Sequence, residues 1–203
     1  MSNRGAARTE STRRTLVRVG RRLFARRGFD SVSAEEIVAA ARLTRGALYH
    51  HFDGKEGLFQ AVVSDAMQDV HGRLKLAASG AQSALEAVEL GVRAFLAVCA
   101  EPEYQRLLLV DGPSVLGWHA WRTLDLEFGL GLLRRGLEAA AASGQLALPD
   151  VETTTHLLAG ALIDGAMVIG RNPEDASLRR SIEATILRFI TGLTRPSEAG
   201  RDV

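Results

Sequence analysis

The sequence predicts an all-α protein of about nine helices, and three observations support this fold class. Apolar residues recur at helical spacing along most of the chain, as Leu16, Leu23 and Phe24 do near its start. All five prolines stand where a helix is expected to begin or end. No stretch alternates apolar and polar residues in the manner of a β-strand.

Composition indicates a soluble globular protein of one or two small domains. The chain has 203 residues, of which 46% are hydrophobic and 24% charged. No run of about 18 uncharged apolar residues predicts a membrane span. The arginine-rich N-terminus has no apolar core, so it does not resemble a secretory signal. The single cysteine, Cys99, excludes an internal disulfide, and we expect a cytoplasmic location.

Charge is distributed unevenly along the chain. The formal net charge is +1, but residues 1–56 carry twelve basic and six acidic groups, a net charge of +6. The remaining residues have a net charge of −5. A basic end on a nearly neutral chain indicates a polyanionic partner for that end.

The first helix is expected at about 12–27, since Gly28 follows it in the usual position of a helix end. Residues 1–11 are expected to form a disordered basic arm, with a frayed terminus as the alternative. Ser33 and Glu36 form a capping box at the start of the second helix. After a turn of three residues, Thr44 caps a short third helix.

The chain is expected to stay helical after this point. The remaining helices are predicted at about 55–76, 82–99, 102–109, 117–143, 151–170 and 174–194. Asn172 and Pro173 illustrate the signals used, since an N-cap residue followed by proline is typical of a helix start.

A helix of about eight residues, a tight turn and a second short helix form the outline of a helix-turn-helix. Residues 12–60 resemble the DNA-binding domain of the TetR family of bacterial repressors. The motifs are Phe24-x-x-x-Gly28-Phe29, Ser33-x-x-x-Ile37-x-x-x-Ala41 and Arg45-Gly46-x-Leu48-Tyr49-x-His51-Phe52-x-x-Lys55-Glu56-x-Leu58. The resemblance implies a helix-turn-helix DNA-binding domain over 12–56 and a helical ligand-binding and dimerisation domain over 57–203.

Arg42 departs from the family pattern, which usually has glycine in the turn. If Arg42 adopts a positive φ, a residue other than glycine costs about 1 kcal/mol there. We expect the turn to persist with slight strain.

The third helix carries residues suited to the major groove of DNA. Arg45 can donate two hydrogen bonds to guanine, a contact that discriminates between bases by about 1–3 kcal/mol. Gly46 lets the backbone approach closely, and Ala47 suits contact with a thymine methyl group. His50 can donate to a base or a phosphate. These four residues are the predicted base contacts.

Phosphate contacts are predicted at three helix starts and beside the base-reading residues. The resemblance places backbone contacts at Tyr49 and His51, and Lys55 stands at a helix N-terminus that favours phosphate. Ser33 and Thr44 add hydroxyl groups. The alternative is that Tyr49 packs on the domain surface and the histidines are solvated. The adjacent histidines point about 100° apart, so we expect no metal site, and no cofactor.

Two apolar stripes near the C-terminus predict a homodimer, because the family pairs these two helices with their copies in a four-helix interface. The predicted interface residues are Leu157, Ala161, Leu162, Gly165, Ile182, Ile186, Phe189 and Leu193. The alternative is that both stripes belong to the core of one chain.

A pocket for a small, mostly apolar effector is predicted among the helices after the third. Its candidate lining residues are Phe95, Cys99, Tyr104, Trp118, Trp121, Phe128, His156, Asp164 and Met167. The alternative is that the aromatic residues are ordinary core, and Asp164 could instead pair with an arginine across the dimer.

The function predicted from these features is that of a ligand-responsive homodimeric transcriptional regulator, released as a repressor from a palindromic operator on double-stranded DNA. A ligand-independent regulator, with a second domain that only dimerises, is the alternative. An enzyme is disfavoured because no nucleotide-binding glycine loop, metal-ligand spacing or nucleophile motif is evident.

Overall fold

A computed structural model describes residues 3–194 of the chain, with side chains from Ala6 onward. Nine continuous helices account for the regular structure of these residues. The only β-type pairing among them is an isolated bridge between Leu146 and Thr194. The prediction of an all-α fold with about nine helices is confirmed.

The helices follow one another with short connections. Helix α1 spans Asn3–Arg27, α2 Ala34–Ala41, α3 Arg45–Phe52, α4 Lys55–Ala78 and α5 Ala84–Cys99. Helix α6 covers 102–116, α7 covers 118–142, α8 spans Val151–Arg171 and α9 spans Ala176–Thr191. Helix α6 contains a π-helical segment at Gln105–Asp111, and α7 contains another at Leu126–Leu130.

The chain divides into two compact units. Unit 1 contains the residues up to Asp69 and Pro102–Leu124, and unit 2 contains Val70–Glu101 and the residues from Asp125 onward. This division differs from the predicted boundary after residue 56, because the first half of α4 and all of α6 belong with the helix-turn-helix. Helices α4 and α7 each contribute residues to both units.

Helix α1 begins at Asn3, so the structure has helix over residues 3–11 of the arm 1–11 that the sequence predicted to be disordered. Residues 1 and 2 of this arm lie outside the described residues. Contacts one turn apart accompany these first turns. The Thr12 hydroxyl donates to the Arg8 carbonyl at 3.0 Å, and Arg14 pairs with Glu10 at 3.3 Å. An exposed i,i+4 ion pair such as that of Arg14 and Glu10 adds a few tenths of a kcal/mol to a helix. The stretch is polar, and polarity alone does not distinguish a solvated helix from a disordered arm.

An aromatic cluster forms the centre of unit 1. The ring centroids of Phe24, Phe29 and Phe59 lie 4.9–5.7 Å apart, with edge-to-face or tilted geometry. Such contacts add about 0.5–1.5 kcal/mol each beyond the apolar area that they bury. They join the end of α1 and the following link to the first turns of α4.

Unit 2 is a bundle around α5. The C-terminal part of α7 and helix α8 both pack against α5, and α9 packs against α8 and α5. Among the described residues, α8 alone is long and apolar enough to cross a membrane. This is weak evidence for a membrane span, since a core helix passes the same test, and Leu158, Leu162 and Ile169 of α8 are buried in unit 2.

Gly57, in the first turn of α4, sits against the end of α3. A Cβ atom added at Gly57 would lie 1.6 Å from the carbonyl oxygen of Phe52. The clash involves backbone, which cannot move aside as a flexible side chain can. Gly57 is therefore required for the close approach of α3 and α4.

We predict that Gly57→Ala lowers the free energy of unfolding by about 1–3 kcal/mol or more, because it overpacks this junction. Urea titration followed by circular dichroism measures the change. Gly72→Ala is the control on the same helix, since Gly72 is exposed and an added Cβ there meets no atom within 4 Å. The control should gain up to about 1 kcal/mol from helix propensity. Equal effects of the two substitutions would contradict the close approach.

Candidate functional site

Helix α3 turns its apolar residues inward and its polar residues to solvent. Leu48 and Phe52 are buried, whereas Arg45, Tyr49 and His50 are exposed. The list of predicted base and phosphate contacts also includes Gly46, which is exposed, and Ala47 and His51, which are half-buried. These six residues therefore lie together on one short, accessible helix.

Both ends of α3 and the turn before it have defined geometry. The Thr44 side chain accepts a hydrogen bond from the Ala47 amide at 3.2 Å, which confirms Thr44 as the N-cap. Arg42 has φ 55° and Asp53 has φ 53°, both in the left-handed region. Arg42 thus has the positive φ that the sequence left open, and this conformation costs roughly 1 kcal/mol relative to glycine.

The predicted capping box at the start of α2 is also confirmed. The Glu36 amide donates to the Ser33 hydroxyl at 3.1 Å, and the Ser33 amide donates to the Glu36 carboxylate at 2.8 Å. Arg27 adds a 2.7 Å ion pair to the same carboxylate. The backbone hydrogen bond from Ser33, and then Arg27, lower the pKa of Glu36 from 4.5 to about 2.

Arg45 is held by two neighbours, one of which the sequence reading missed. Its guanidinium lies 2.9 Å from the Glu35 carboxylate of α2 and donates to the Tyr49 hydroxyl at 3.5 Å. The guanidinium carbon also lies 5.5 Å from the centre of the Tyr49 ring. Glu35 lies in the first turn of α2, ten residues before Arg45. An acidic residue there is usually explained by its favourable interaction with the helix dipole, so the sequence did not indicate its ion pair with Arg45.

The Lys55 side chain, which is predicted to contact a phosphate, contacts Phe29 within unit 1. Its ammonium group donates to the Phe29 carbonyl at 3.2 Å and lies 3.9 Å from the centre of the Phe29 ring. The side chain thus ties the start of α4 to the link between α1 and α2. The start of α4 still presents backbone amides, which suit a phosphate without the ammonium group.

A charged network fastens α6 to the rest of unit 1. Arg21 of α1 bonds with Asp65 at 2.8 Å and Asp69 at 3.0 Å in α4, and with Glu103 at 2.5 Å in α6. The Tyr104 hydroxyl donates to Asp69 in the same cluster. Burial alone would lower the pKa of Arg21, but the hydrogen bonds with the carboxylates raise it on balance.

The end of α1 receives a second contact from α6. The Phe29 amide donates to the Asp111 carboxylate at 2.9 Å, directly after the left-handed Gly28. Asp111 is the last residue of the π-helical segment of α6. The sequence offered no signal for this contact, since the two residues are 82 positions apart.

Unit 2 contains a cavity of about 230 Å³. Helices α4, α5, α7 and α8 supply its lining, which is Leu74, Ala78, Ala87, Val88, Gly91, Val92, Phe95, Asp125, Gly129, Leu130, Leu132, Leu133, Arg135, Gly136, Ala159, Leu162 and Ile163. All of these residues are apolar or glycine except Asp125 and Arg135. Asp125 is half-buried and Arg135 is exposed.

Of the residues predicted to line a pocket, only Phe95 lines this cavity. Cys99 is buried in α5, where burial, with a smaller contribution from Asp125 and Glu101, raises the pKa of its thiol to about 12. Phe128 is half-buried beside His71, whose Nδ1–H donates to the Phe128 carbonyl at 2.6 Å.

The other predicted lining residues also lie away from the cavity. Tyr104 and Trp121 are buried in unit 1, where the Trp121 indole donates to the Leu108 carbonyl at 2.7 Å. Trp118 belongs to unit 1 as well, and is 63% exposed. The remaining three are His156 and Asp164, which are exposed, and Met167, which is half-buried outside the lining. Aromatic side chains fill cores as readily as pockets, so residue type alone could not assign them.

The predicted dimer residues divide into three groups by their burial. Leu162, Gly165 and Ile186 are buried within unit 2 of the single chain. A Cβ added at Gly165 would lie 2.9 Å from the Ile182 side chain, which places this glycine at the contact between α8 and α9 of one chain. The intermediate members of the set are Ala161, Ile182 and Leu193, each half-buried.

The remaining two predicted dimer residues face solvent. Leu157 of α8 is 71% exposed and Phe189 of α9 is 56% exposed. No other large hydrophobic residue of α8 or α9 is exposed, and both helices lie wholly within the described part of the chain.

Among residues 3–194 there is no group of three or more His, Cys, Asp or Glu side chains that could hold a metal ion. The candidate functional features are the solvent-facing helix α3 in unit 1 and the apolar cavity in unit 2.

Comparison with known proteins identifies relatives of both units. A family described as bacterial regulatory proteins, tetR family, matches residues 16–62, and a family described as tetracyclin repressor-like, C-terminal domain, matches residues 85–193. The transposon Tn10 TetC protein of Escherichia coli is 28% identical over 153 residues, which cover 74% of this chain and 76% of that protein.

Solved structures extend this similarity over nearly the whole chain. A TetR-family transcriptional regulator from Pectobacterium atrosepticum is 31% identical with a TM-score of 0.79, covering 94% of this chain and 98% of that one. The complex of RolR with resorcinol has the same fold, with a TM-score of 0.71 at 22% identity, covering 95% of this chain and 98% of that one.

We predict that the stability contributed by the Glu36 capping box is lost at acid pH. Because the folded-state pKa is lowered, the contribution is complete above about pH 4.5 and disappears as the pH falls to about 2. The difference in free energy of unfolding between the wild type and Glu36→Ala, measured by urea titration across this range, should shrink accordingly. A difference that persists unchanged at pH 2 would show that the carboxylate charge contributes nothing.

We predict that Glu35→Gln raises affinity for DNA of any sequence, because it removes a carboxylate that competes with DNA for Arg45. Stability should change by less than about 1 kcal/mol, since the ion pair is exposed. Fluorescence anisotropy with a random-sequence duplex at fixed salt measures the affinity. Glu174→Gln removes the same charge from an exposed position of unit 2 and is the control. An equal gain in both variants would mean that net charge alone is responsible.

Proposed function

Since the chain belongs to the TetR family of bacterial transcriptional regulators, which bind DNA, we propose that it acts in the cytoplasm as a homodimer. In this proposal the dimer binds a palindromic operator and represses transcription until a small molecule releases it. Family membership supports the function of a DNA-binding transcriptional regulator. The homodimer, the palindromic operator and the effector are what we propose.

The observation that carries the proposal is the orientation of α3. Its side chains Leu48 and Phe52 are buried in the core of unit 1, and Arg45, Tyr49 and His50 are exposed to solvent. The surrounding 56 residues have a net charge of +6. The major groove admits one α-helix whose N-terminal residues reach the base edges.

Base and phosphate contacts are then assigned by position on this surface. Arg45, Gly46, Ala47 and His50 read bases. The phosphate contacts come from Ser33, Thr44, Tyr49, His51 and Lys55, and from the backbone amides at the start of α4. The Ser33 and Thr44 hydroxyls accept capping bonds, and a hydroxyl group can still donate its own proton to a phosphate.

The exposed faces of α8 and α9 supply the proposed dimer interface. Leu157 and Phe189 are large apolar side chains in water, and a second copy would cover them. Gly160 lies on the exposed side of α8, where an added Cβ meets no atom within 4 Å, so a partner helix can approach closely. Two-fold symmetry then presents two copies of α3 to half-sites about one helical turn apart, or a multiple of it.

The cavity of unit 2 supports a response to an effector. RolR, which shares this fold, has been solved with resorcinol. Helix α4 contributes Leu74 and Ala78 to the cavity lining, while its first turn contacts the end of α3 within unit 1. By linkage, an effector that weakens DNA binding must itself bind less well to the DNA-bound form.

The alternative of a ligand-independent regulator requires a second domain that only dimerises. A filled core would favour it. The cavity of about 230 Å³ instead exceeds the roughly 150 Å³ that holds a benzene molecule in an engineered core, so we favour the effector-responsive function.

The test begins with DNA selected from a random pool by the purified full chain. We predict an inverted repeat whose half-site centres are about 34–36 Å apart or a multiple of this distance. The double variant Leu157→Asp, Phe189→Asp should sediment as a monomer. Its affinity for the repeat should fall roughly a hundredfold or more, because two linked half-site contacts become one.

The control is Leu76→Asp, which places the same charge at a leucine of α4 that is 74% exposed. It should remain dimeric and bind the repeat normally. A double variant that keeps its helical circular dichroism and still dimerises would place the interface on another face. Selection of a direct repeat or of no sequence would contradict the palindromic operator.

A further inference from the structure

We propose that the cavity of unit 2 binds a compact, mainly apolar molecule of about nine or ten non-hydrogen atoms, whose one polar end donates a hydrogen bond to the Asp125 carboxylate. This inference rests on the proposed function, because it names the chemical class of the effector.

The size of the ligand follows from the cavity volume. An apolar cavity of roughly 150 Å³ holds benzene, which has six carbon atoms. At the same density, about 230 Å³ holds a single ring with a short substituent, or a branched chain of similar bulk. A long acyl chain or a fused system of three or more rings exceeds this volume.

The lining selects for an apolar body with few polar groups. Leucine, valine, isoleucine, alanine, phenylalanine and glycine form all of the wall except at Asp125 and Arg135. A polar group on the ligand costs free energy in such a wall unless it finds a hydrogen-bond partner. Asp125 is the half-buried charged residue of this wall, and Arg135 is exposed to water.

Gly129 leaves room for the Asp125 carboxylate. The two residues lie on α7, and a Cβ added at Gly129 would be 2.8 Å from the Asp125 carboxylate oxygen. Any other residue would displace that oxygen. The π-helical segment of α7 begins directly after Asp125, and Gly129 lies within it. Such segments in α-helices frequently occur at functional sites.

The chemistry of Asp125 decides the polar end of the ligand. An ionised carboxylate is an acceptor only, with about four acceptor positions, so it can accept a bond from a ligand beside the interaction that it has within the protein. An anionic ligand would be repelled by it and would meet Arg135 only in water, where an ion pair gains little. The ligand therefore carries an N–H or O–H donor, as in an amine or a hydroxyl group.

The experiment uses four probes of nearly equal size: 2-phenylethylamine, 4-ethylphenol, ethylbenzene and phenylacetate. Isothermal titration calorimetry of the full-length dimer measures their binding. We expect the amine and the phenol to bind about tenfold or more tightly than phenylacetate, because only they donate to Asp125. In Asp125→Asn, the affinity for the amine should fall about tenfold while that for ethylbenzene is unchanged.

A second variant locates the binding within the cavity. Gly91 of α5 belongs to the lining, and an added Cβ meets no atom within 4 Å, so Gly91→Leu extends a side chain into open space. We expect this variant to fold and to lose all four probes. Gly72→Leu is the matched control, since Gly72 has equally open surroundings outside the lining and should retain binding.

Three results would overturn the proposal: preference for phenylacetate, absence of binding by all four probes at a few millimolar, or full binding by Gly91→Leu. DNA affinity for the selected operator is measured in the same samples with and without the amine. Amine binding that leaves DNA affinity unchanged would contradict the effector response in the proposed function and support the ligand class. Failure to bind any selected DNA would contradict the regulator function and leave the probe results standing.

Discussion

Helix α3 is eight residues long, and a helix of that length does not persist in water without tertiary support. Its support comes from burial of Leu48 and Phe52, from the Thr44 cap, and from the close approach of α4 at Gly57. These contacts use every large apolar side chain of α3. The side chains left in solvent are then those suited to a DNA groove, so the requirement for stability also selects the face that is presented.

The rest of unit 1 extends this support with charged and polar contacts between distant segments. Arg21 joins α1 to carboxylates of α4 and α6, and Asp111 holds the amide of Phe29 where α1 ends. One guanidinium group shared by three half-exposed carboxylates gains from the network more than isolated surface pairs do. These contacts explain why 102–124 belongs with the helix-turn-helix although the second domain surrounds it in the sequence.

Local features were predictable from the sequence, and features that depend on tertiary packing were not. The capping box of Ser33 and the cap at Thr44 each depend on a few adjacent residues, and the structure confirms them. The pocket lining depends on which side of each helix faces inward. Trp118 and Trp121 matched a pocket by residue type but lie in unit 1, while Gly91 gave no signal because glycine has no side chain to classify.

The π-helical segment at Leu126–Leu130 has a consequence for how this chain can change over evolution. A wide turn holds one residue more than an α-helical turn does, so the loss of one residue there can be absorbed by reverting to α-helix. Because the wide turn absorbs the change, Gly131–Ala142 keeps its register against α5, and only residues of the segment itself, such as Gly129 and Leu130, are rearranged at the cavity wall. Single-residue deletions in this segment are thus a short route to a cavity of different shape within an unchanged fold.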